Sequence, residues 1–205
     1  MSALPAARPQ AGNHAEGGQS LVEFTMLVPL FLLILFGMVE FGFVFTHNLT
    51  LEYATREGAR TGAALANGGG NTTTCAVIDP QIVAAVERVL KSPGSPIDIS
   101  RVSQIQIWKA ATPGGTPITG AVNTWTYTGT ATGPTIDGQQ LDFTQQSQQW
   151  APCTRDNGSS PDSVGVSLVY TYRLVTPLSG IAAFFGGPTA ATLGMNDRTV
   201  MALNP

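Results

Sequence analysis

From Phe24 to Phe45 the chain reads FTMLVPLFLLILFGMVEFGFVF, with Glu40 as its single charge. A helix of that length, at about 1.5 Å per residue, spans roughly 33 Å, the hydrocarbon thickness of a bilayer. Its Leu, Ile, Val and Phe residues contribute about −0.3 to −0.6 kcal/mol each on insertion and together outweigh one acid at about +3. A membrane span is therefore expected. The competing reading is a buried core helix, but such helices are usually shorter and nothing else in the sequence is comparably apolar. A secretory signal would have a basic start and a small-residue cleavage site directly after the apolar run. Here Thr46-His47-Asn48-Leu49 follows instead.

The remainder allows one ordinary domain, since the chain has 205 residues. Charged residues are 11% of it, with Lys+Arg 10 against Asp+Glu 13. That balance lacks the basic face a nucleic-acid partner requires. Arg8 precedes the span, whereas Glu52, Arg56, Glu57 and Arg60 cancel after it, so the N-terminus is read as cytoplasmic and the bulk of the chain as exported. His14 and His47 are the two histidines, and both precede the exported part. Without a histidine there, hydrolase-type nucleophilic catalysis and most zinc sites are not expected. We therefore expect no enzyme, no cofactor and no metal. Asp137 and Asp142, and the Asp156-Asn157-Gly158 stretch with Asp162, are read as turn residues, not as a glycosidase pair or a calcium loop.

Just before the span, Gly18-Gln19-Ser20-Leu21-Val22-Glu23-Phe24 places a glutamate five residues after a glycine and opens unbroken apolar sequence. This resembles the processing site of type IV prepilins, which a membrane peptidase cuts after the glycine. The resemblance implies a leader over 1–18 and a mature chain starting at Gln19, with Glu23 as its fifth residue. GQSLVEF, Pro29, GMVEFG at 37–42 and Arg56-Glu57-Gly58-Ala59-Arg60 together resemble the TadE-like pseudopilins of tight-adherence pili. The resemblance is most specific over residues 18–66. It implies a minor pilin or pseudopilin acting in pilus assembly, adhesion or secretion. The partners it implies are a prepilin peptidase, other pilin or pseudopilin subunits, an inner-membrane assembly platform and a cytoplasmic ATPase.

Within that segment each residue has a physical reading. After cutting, the Gln19 ammonium lies one turn from Glu23 and can pair with it in its own chain or a neighbour's; Phe24 opens the apolar phase. Pro29 removes one helical hydrogen bond and opposes the carbonyl of Thr25, which predicts a bend or a loosened turn. Glu40 either snorkels to the outer interface or pairs with a partner subunit. Ala54, Gly58, Gly62 and Ala66 recur every four residues, a stripe that lets another backbone approach. Its partner is either this chain's own C-terminal part or a neighbouring subunit's helix. A helix over 19–66 is about 70 Å long, a transmembrane segment continued by a stalk.

Residues 67–78 read as a Gly/Thr-rich linker, and 79–205 as an exported head. Asp79-Pro80 reads as N-cap and first residue of a helix to Leu90, with Ile82, Val83, Val86, Val89 and Leu90 on its apolar face. Strands are expected at 97–109, 123–128, 163–174 and 189–201, and a short helix at 178–185. The stretch 112–162 reads as long surface loops. The fold class is then α+β: a long N-terminal helix and a small head with an antiparallel sheet and one or two helices. Cys75 and Cys153 are the two cysteines, both in the exported part, and are expected to be joined. An alternative function is an uncleaved single-pass anchor that presents a ligand-binding head, with Trp108, Trp125, Trp150, Tyr127 and Tyr170 as contact residues.

Overall fold

The computed structural model describes residues 16–112 and 114–204, and it is α+β. Most of the expected leader, residues 1–15 with His14, lies outside the described residues. A single helix, α1, runs over Glu16–Leu65 and continues through Pro29. Thr25 Oγ1 donates to the carbonyl of Val22 (2.9 Å), not to its own carbonyl opposite Pro29. The first half of α1 is bare. Leu21, Phe24, Met26, Leu27, Leu30 and Phe31 are all exposed, and the helix is long and apolar enough to cross a membrane.

Past Glu40 one side of α1 is covered. Glu40, His47, Leu51, Ala54, Gly58 and Gly62 are buried at intervals of three, four or seven residues, which keeps them on one face. That face meets α3 (Ile78–Leu90), which follows a short turn of helix, α2 (Thr72–Cys75). The expected apolar face of α3 is observed: Ile82, Val83, Val86 and Leu90 are buried and Val89 is half-buried. Asp79 is not its N-cap. Val77 holds that position with no side-chain bond, because the Asp79 carboxylate is directed into the head. The stretch 67–78, read as linker, carries a 3-10 turn at Gly68–Gly70 capped by the Asn67 side chain, then α2 and the first residue of α3.

The sheet is formed by β1 (Val102–Ala110), β2 (Pro117–Tyr127), β5 (Phe143–Gln148), β6 (Ser163–Arg173) and β7 (Thr192–Ala202), in the order β5-β2-β1-β6-β7 and antiparallel throughout. A small hairpin of β3 (Thr135–Ile136) and β4 (Gln139–Gln140) turns at Asp137-Gly138, where both φ angles are positive. The register Ile105↔Leu168 and Ile107↔Val166 puts the apolar rows of β1 and β6 side by side. The alternate row is polar: Gln106 faces Thr124 and Ser167, and Ser167 faces Arg198. An antiparallel sheet with one packed and one wetter face follows. The helix α4 (Leu178–Gly186) sits between β6 and β7, as expected.

Two strand expectations need correcting. The strand predicted from Ile97 begins at Val102, because Asp98 caps a 3-10 turn at Ile99–Arg101 through its bond to Ser100 N. The stretch 112–162 is not all loop, since it contains all of β2, which starts at Pro117 and not at residue 123, and all of β3, β4 and β5. These strands are rich in Thr, Gln and Ser and lie at or near a sheet edge, so they lack the apolar alternation that marks a strand in sequence.

Candidate functional site

Gly18, Gln19 and Glu23, expected to form a processing motif, lie on the bare part of α1. A Cβ at Gly18 would meet no other atom within 4 Å, and Glu23 and Phe24 are exposed. Gln19 Nε2 donates to Glu23 Oε1 at 3.1 Å. This contact uses the side-chain amide, because the Gln19 amine is still in its peptide bond to Gly18. One helical turn is nonetheless sufficient to bring the two residues together.

Glu40 is neither snorkelling nor open to a partner subunit in this chain. Its Oε1 accepts from the Tyr172 hydroxyl and from Val175 N (3.0 Å), and its Oε2 from Thr176 N (2.9 Å). All three donors come from the end of β6 and the connection to α4. A lone acid in an apolar run has to find donors, and here the chain's own head supplies them. The adjacent His47 ring stacks near Tyr170 and meets Tyr172 edge-on, at centroid distances of 5.9 and 4.8 Å. We expect Glu40→Leu to speed amide exchange at Val175 and Thr176 by about tenfold or more, because each N–H loses a charged acceptor. Unchanged exchange by mass spectrometry at those two positions would show that the carboxylate does not hold the connection.

The small-residue stripe also turns inward. A Cβ on Gly58 would lie 2.6 Å from Val86 Cγ2 and 3.3 Å from Val166 Cγ1, and one on Gly62 would lie 3.0 Å from Ile82 Cδ1. Ala54 and Ala66 are buried in the same cluster. The backbone of α1 therefore approaches α3 and β6 of its own head, which offsets the roughly 1 kcal/mol each glycine costs a helix. Thr55 adds a polar contact to β7 through Asp197 and Thr199. The tail closes the far end: Asn204 N donates to Ala63 O at 2.9 Å, satisfying a carbonyl in the last turn of α1.

A second clamp forms around residues 150–157. Cys75 and Cys153 are disulfide-bonded, with Cα atoms 5.1 Å apart. Two residues on, the fully buried Arg155 pairs with Asp79 (Nη2 to Oδ1, 2.5 Å) and stands over the Trp150 ring, 4.4 Å from its centroid. Asn123 Nδ2 donates to Asp79 Oδ2 (2.6 Å) and to Trp150 O (2.7 Å). Asn67, just past α1, donates to Arg155 O (3.2 Å) and Asn157 Oδ1 (2.9 Å). Burial pushes the Asp79 carboxyl above its usual range against the pull of Arg155. Composition gave no sign of this pair, since its members are 76 residues apart.

The remaining candidates are placed as follows. Trp108, Trp125, Trp150 and Tyr170 are buried and Tyr127 packs edge-on against Phe143, so the aromatic residues suggested as ligand contacts are core. Asp137 and Asp142 line one cleft of about 550 Å³ between α3 and the β3–β4 hairpin. Asp142 is occupied there by Lys91 Nζ (2.6 Å) and Ala131 N (2.8 Å), and Lys91 also meets Glu87 (3.0 Å). Gly158 N donates to Asp156 Oδ1 (2.8 Å), the expected Asx turn, and Asp162 pairs with Lys109.

What this assembly offers is mechanical: a bare apolar rod in its first half, and a head fixed to its second half by an acid clamp, a packed stripe and a covalent clasp. No curated protein and no solved structure matches the chain. Residues 18–60, from Gly18 through the bare helix, Glu40 and the first part of the stripe, match the family model described as TadE-like protein, a similarity confined to that segment.

Proposed function

We propose that this chain is a structural, non-enzymatic minor pilin or pseudopilin of a tight-adherence pilus. In this reading it is made as a prepilin with a cytoplasmic N-terminus, cut after Gly18 by a prepilin peptidase, and assembled through α1 with its head outside the cytoplasmic membrane. The observation that carries the reading is the division of α1. Apolar surface from Leu21 to Leu35 is left uncovered, while the head engages the helix from Glu40 onward. A bare greasy segment of about 22 Å, beside Gly18 and Glu23, is suited to lateral association with like helices or lipid. The match over residues 18–60 supports the family context. Cutting after Gly18 would free the Gln19 amine beside Glu23, a charge pair available to the chain or to its neighbours. Other pilin subunits, the inner-membrane platform and its ATPase would be the working partners.

Intact mass and N-terminal sequencing of the membrane-extracted protein, from a host that has the peptidase, test this. The expected product starts at Gln19, and Gly18→Leu is expected to abolish the cut and leave the leader attached. A wild-type product that keeps residues 1–18 would instead identify an uncleaved single-pass anchor.

A further inference from the structure

Among the described residues, the head carries an apolar surface that no other part covers. In α4, LSGIAAFFG, there is no charged residue, and Phe184 and Phe185 are each 83% exposed, edge to face with ring centroids 5.2 Å apart. Ile181 on the same helix and Val175 just before it are also exposed. Two adjacent phenylalanines turned to water are costly for a soluble surface, and a patch of this kind marks a contact.

Its height along α1 identifies the contact. Glu40 accepts from Val175 N and Thr176 N, and α4 begins two residues after Thr176, packed against α1. The start of α4 is thus pinned at the level of Glu40. Five residues separate Glu40 from Phe45, the end of the apolar run, so this level lies about 7.5 Å inside the run. Helices that lie in a membrane interface bury their apolar face about 5–10 Å deep. Around Glu40 the other sides of α1 remain apolar and open: Val39, Phe41 and Phe43 are exposed. The face of α4 therefore continues the lipid-facing surface of α1.

We propose that α4 is an interfacial membrane element, with Phe184, Phe185, Ile181 and Val175 seated among the upper acyl chains of the leaflet facing the head. The inference rests on reading α1 as the membrane span. Because α1 already tethers the head, α4 needs no basic face to recruit it. It sets the height and lean of the head on the bilayer, and its withdrawal accompanies extraction of α1 from lipid. A consequence is that the outer membrane boundary lies near Phe45, about 7.5 Å beyond the level of Glu40, so that Glu40 and its three donors sit just inside it.

The test uses the full-length protein at one copy per nanodisc of phosphatidylcholine and phosphatidylglycerol, doped with a phospholipid bearing a diazirine high on its acyl chain. After photolysis, adducts are mapped by mass spectrometry. Lipid adducts are expected on 24–39 and also on 175–186. Phe184→Ser/Phe185→Ser, a change at two exposed positions, should lower labelling of 175–186 by about tenfold or more and leave 24–39 unchanged. Adducts on α1 with none on α4 would overturn this proposal and leave the membrane span standing. Absence of adducts on α1 as well would overturn the span itself. Should α4 be unlabelled in single-copy discs yet cross-link between chains at higher copy number, the surface is a subunit contact and the lipid assignment is wrong.

Discussion

Arg155→Met is expected to destabilise the head by about 3–5 kcal/mol near neutral pH, because it strands a carboxylate in the core. Asp79 is 1% exposed and keeps only the Asn123 amide once the guanidinium is gone. The intact pair is itself no large source of stability, since Nε and Nη1 of Arg155 find no acceptor among the described residues. Removing both partners should thus cost far less than removing one. Asp79→Leu/Arg155→Met is expected to unfold within about 1–2 kcal/mol of wild type, and Asn123 retains its bond to Trp150 O. The penalty of the single variant also has a pH signature. Burial already raises the Asp79 carboxyl, and without Arg155 it rises further. A raised folded value means that the native state binds a proton that the unfolded chain releases, so stability falls as pH climbs from about 3.9 to the folded value. The variant should accordingly approach wild type as pH is lowered through that window. Denaturant titrations in detergent, followed by fluorescence of the buried tryptophans, read all of this. A single variant as stable as wild type at pH 7 would remove the buried pair from the account.

Sequence revealed the parts of this molecule whose physics is local. An apolar run of helix-spanning length, a 3.6-residue apolar pattern at 82–90 and alternation at Val164, Val166, Leu168, Tyr170 and Tyr172 each declare their element within a short window. What stayed hidden is long-range pairing. Glu40 is visibly anomalous in its run, but its donors lie 132 to 136 residues away, two of them backbone amides that no side-chain pattern records. Asp79 shows the reverse failure. Asp-Pro before an apolar pattern has the form of a helix start, yet a buried arginine across the fold outcompetes the cap for its carboxylate. The stripe Ala54, Gly58, Gly62, Ala66 announced a close approach without naming the partner, because a small residue accommodates a head and a neighbouring helix equally well. Strand β5, FTQQSQ, was unreadable since only Phe143 of its side chains is buried.

The disulfide and the Asp79–Arg155 pair join the same two stretches of chain: Cys75 is four residues before Asp79, and Cys153 two before Arg155. Cys75→Ala/Cys153→Ala is expected to cost about 2–5 kcal/mol, since a cross-link spanning 78 residues restricts the unfolded chain by about 4–5 kcal/mol in the entropy model. If that were its whole effect, adding Arg155→Met would simply add its own loss. Geometry argues otherwise. With either link intact, residues 152–155 remain docked; with both cut, the segment can swing out and let water reach Asp79, which relieves the stranded charge. The triple variant should therefore lose less than the sum of the two by about 1 kcal/mol or more, a coupling usual for contacting residues. Exchange at Thr154 N and Arg155 N, bonded to Ala151 O and Pro152 O, should accelerate far more in the triple variant than in either parent. Strict additivity with unchanged local exchange would confine the disulfide to the unfolded state and leave the buried pair to hold the clasp alone.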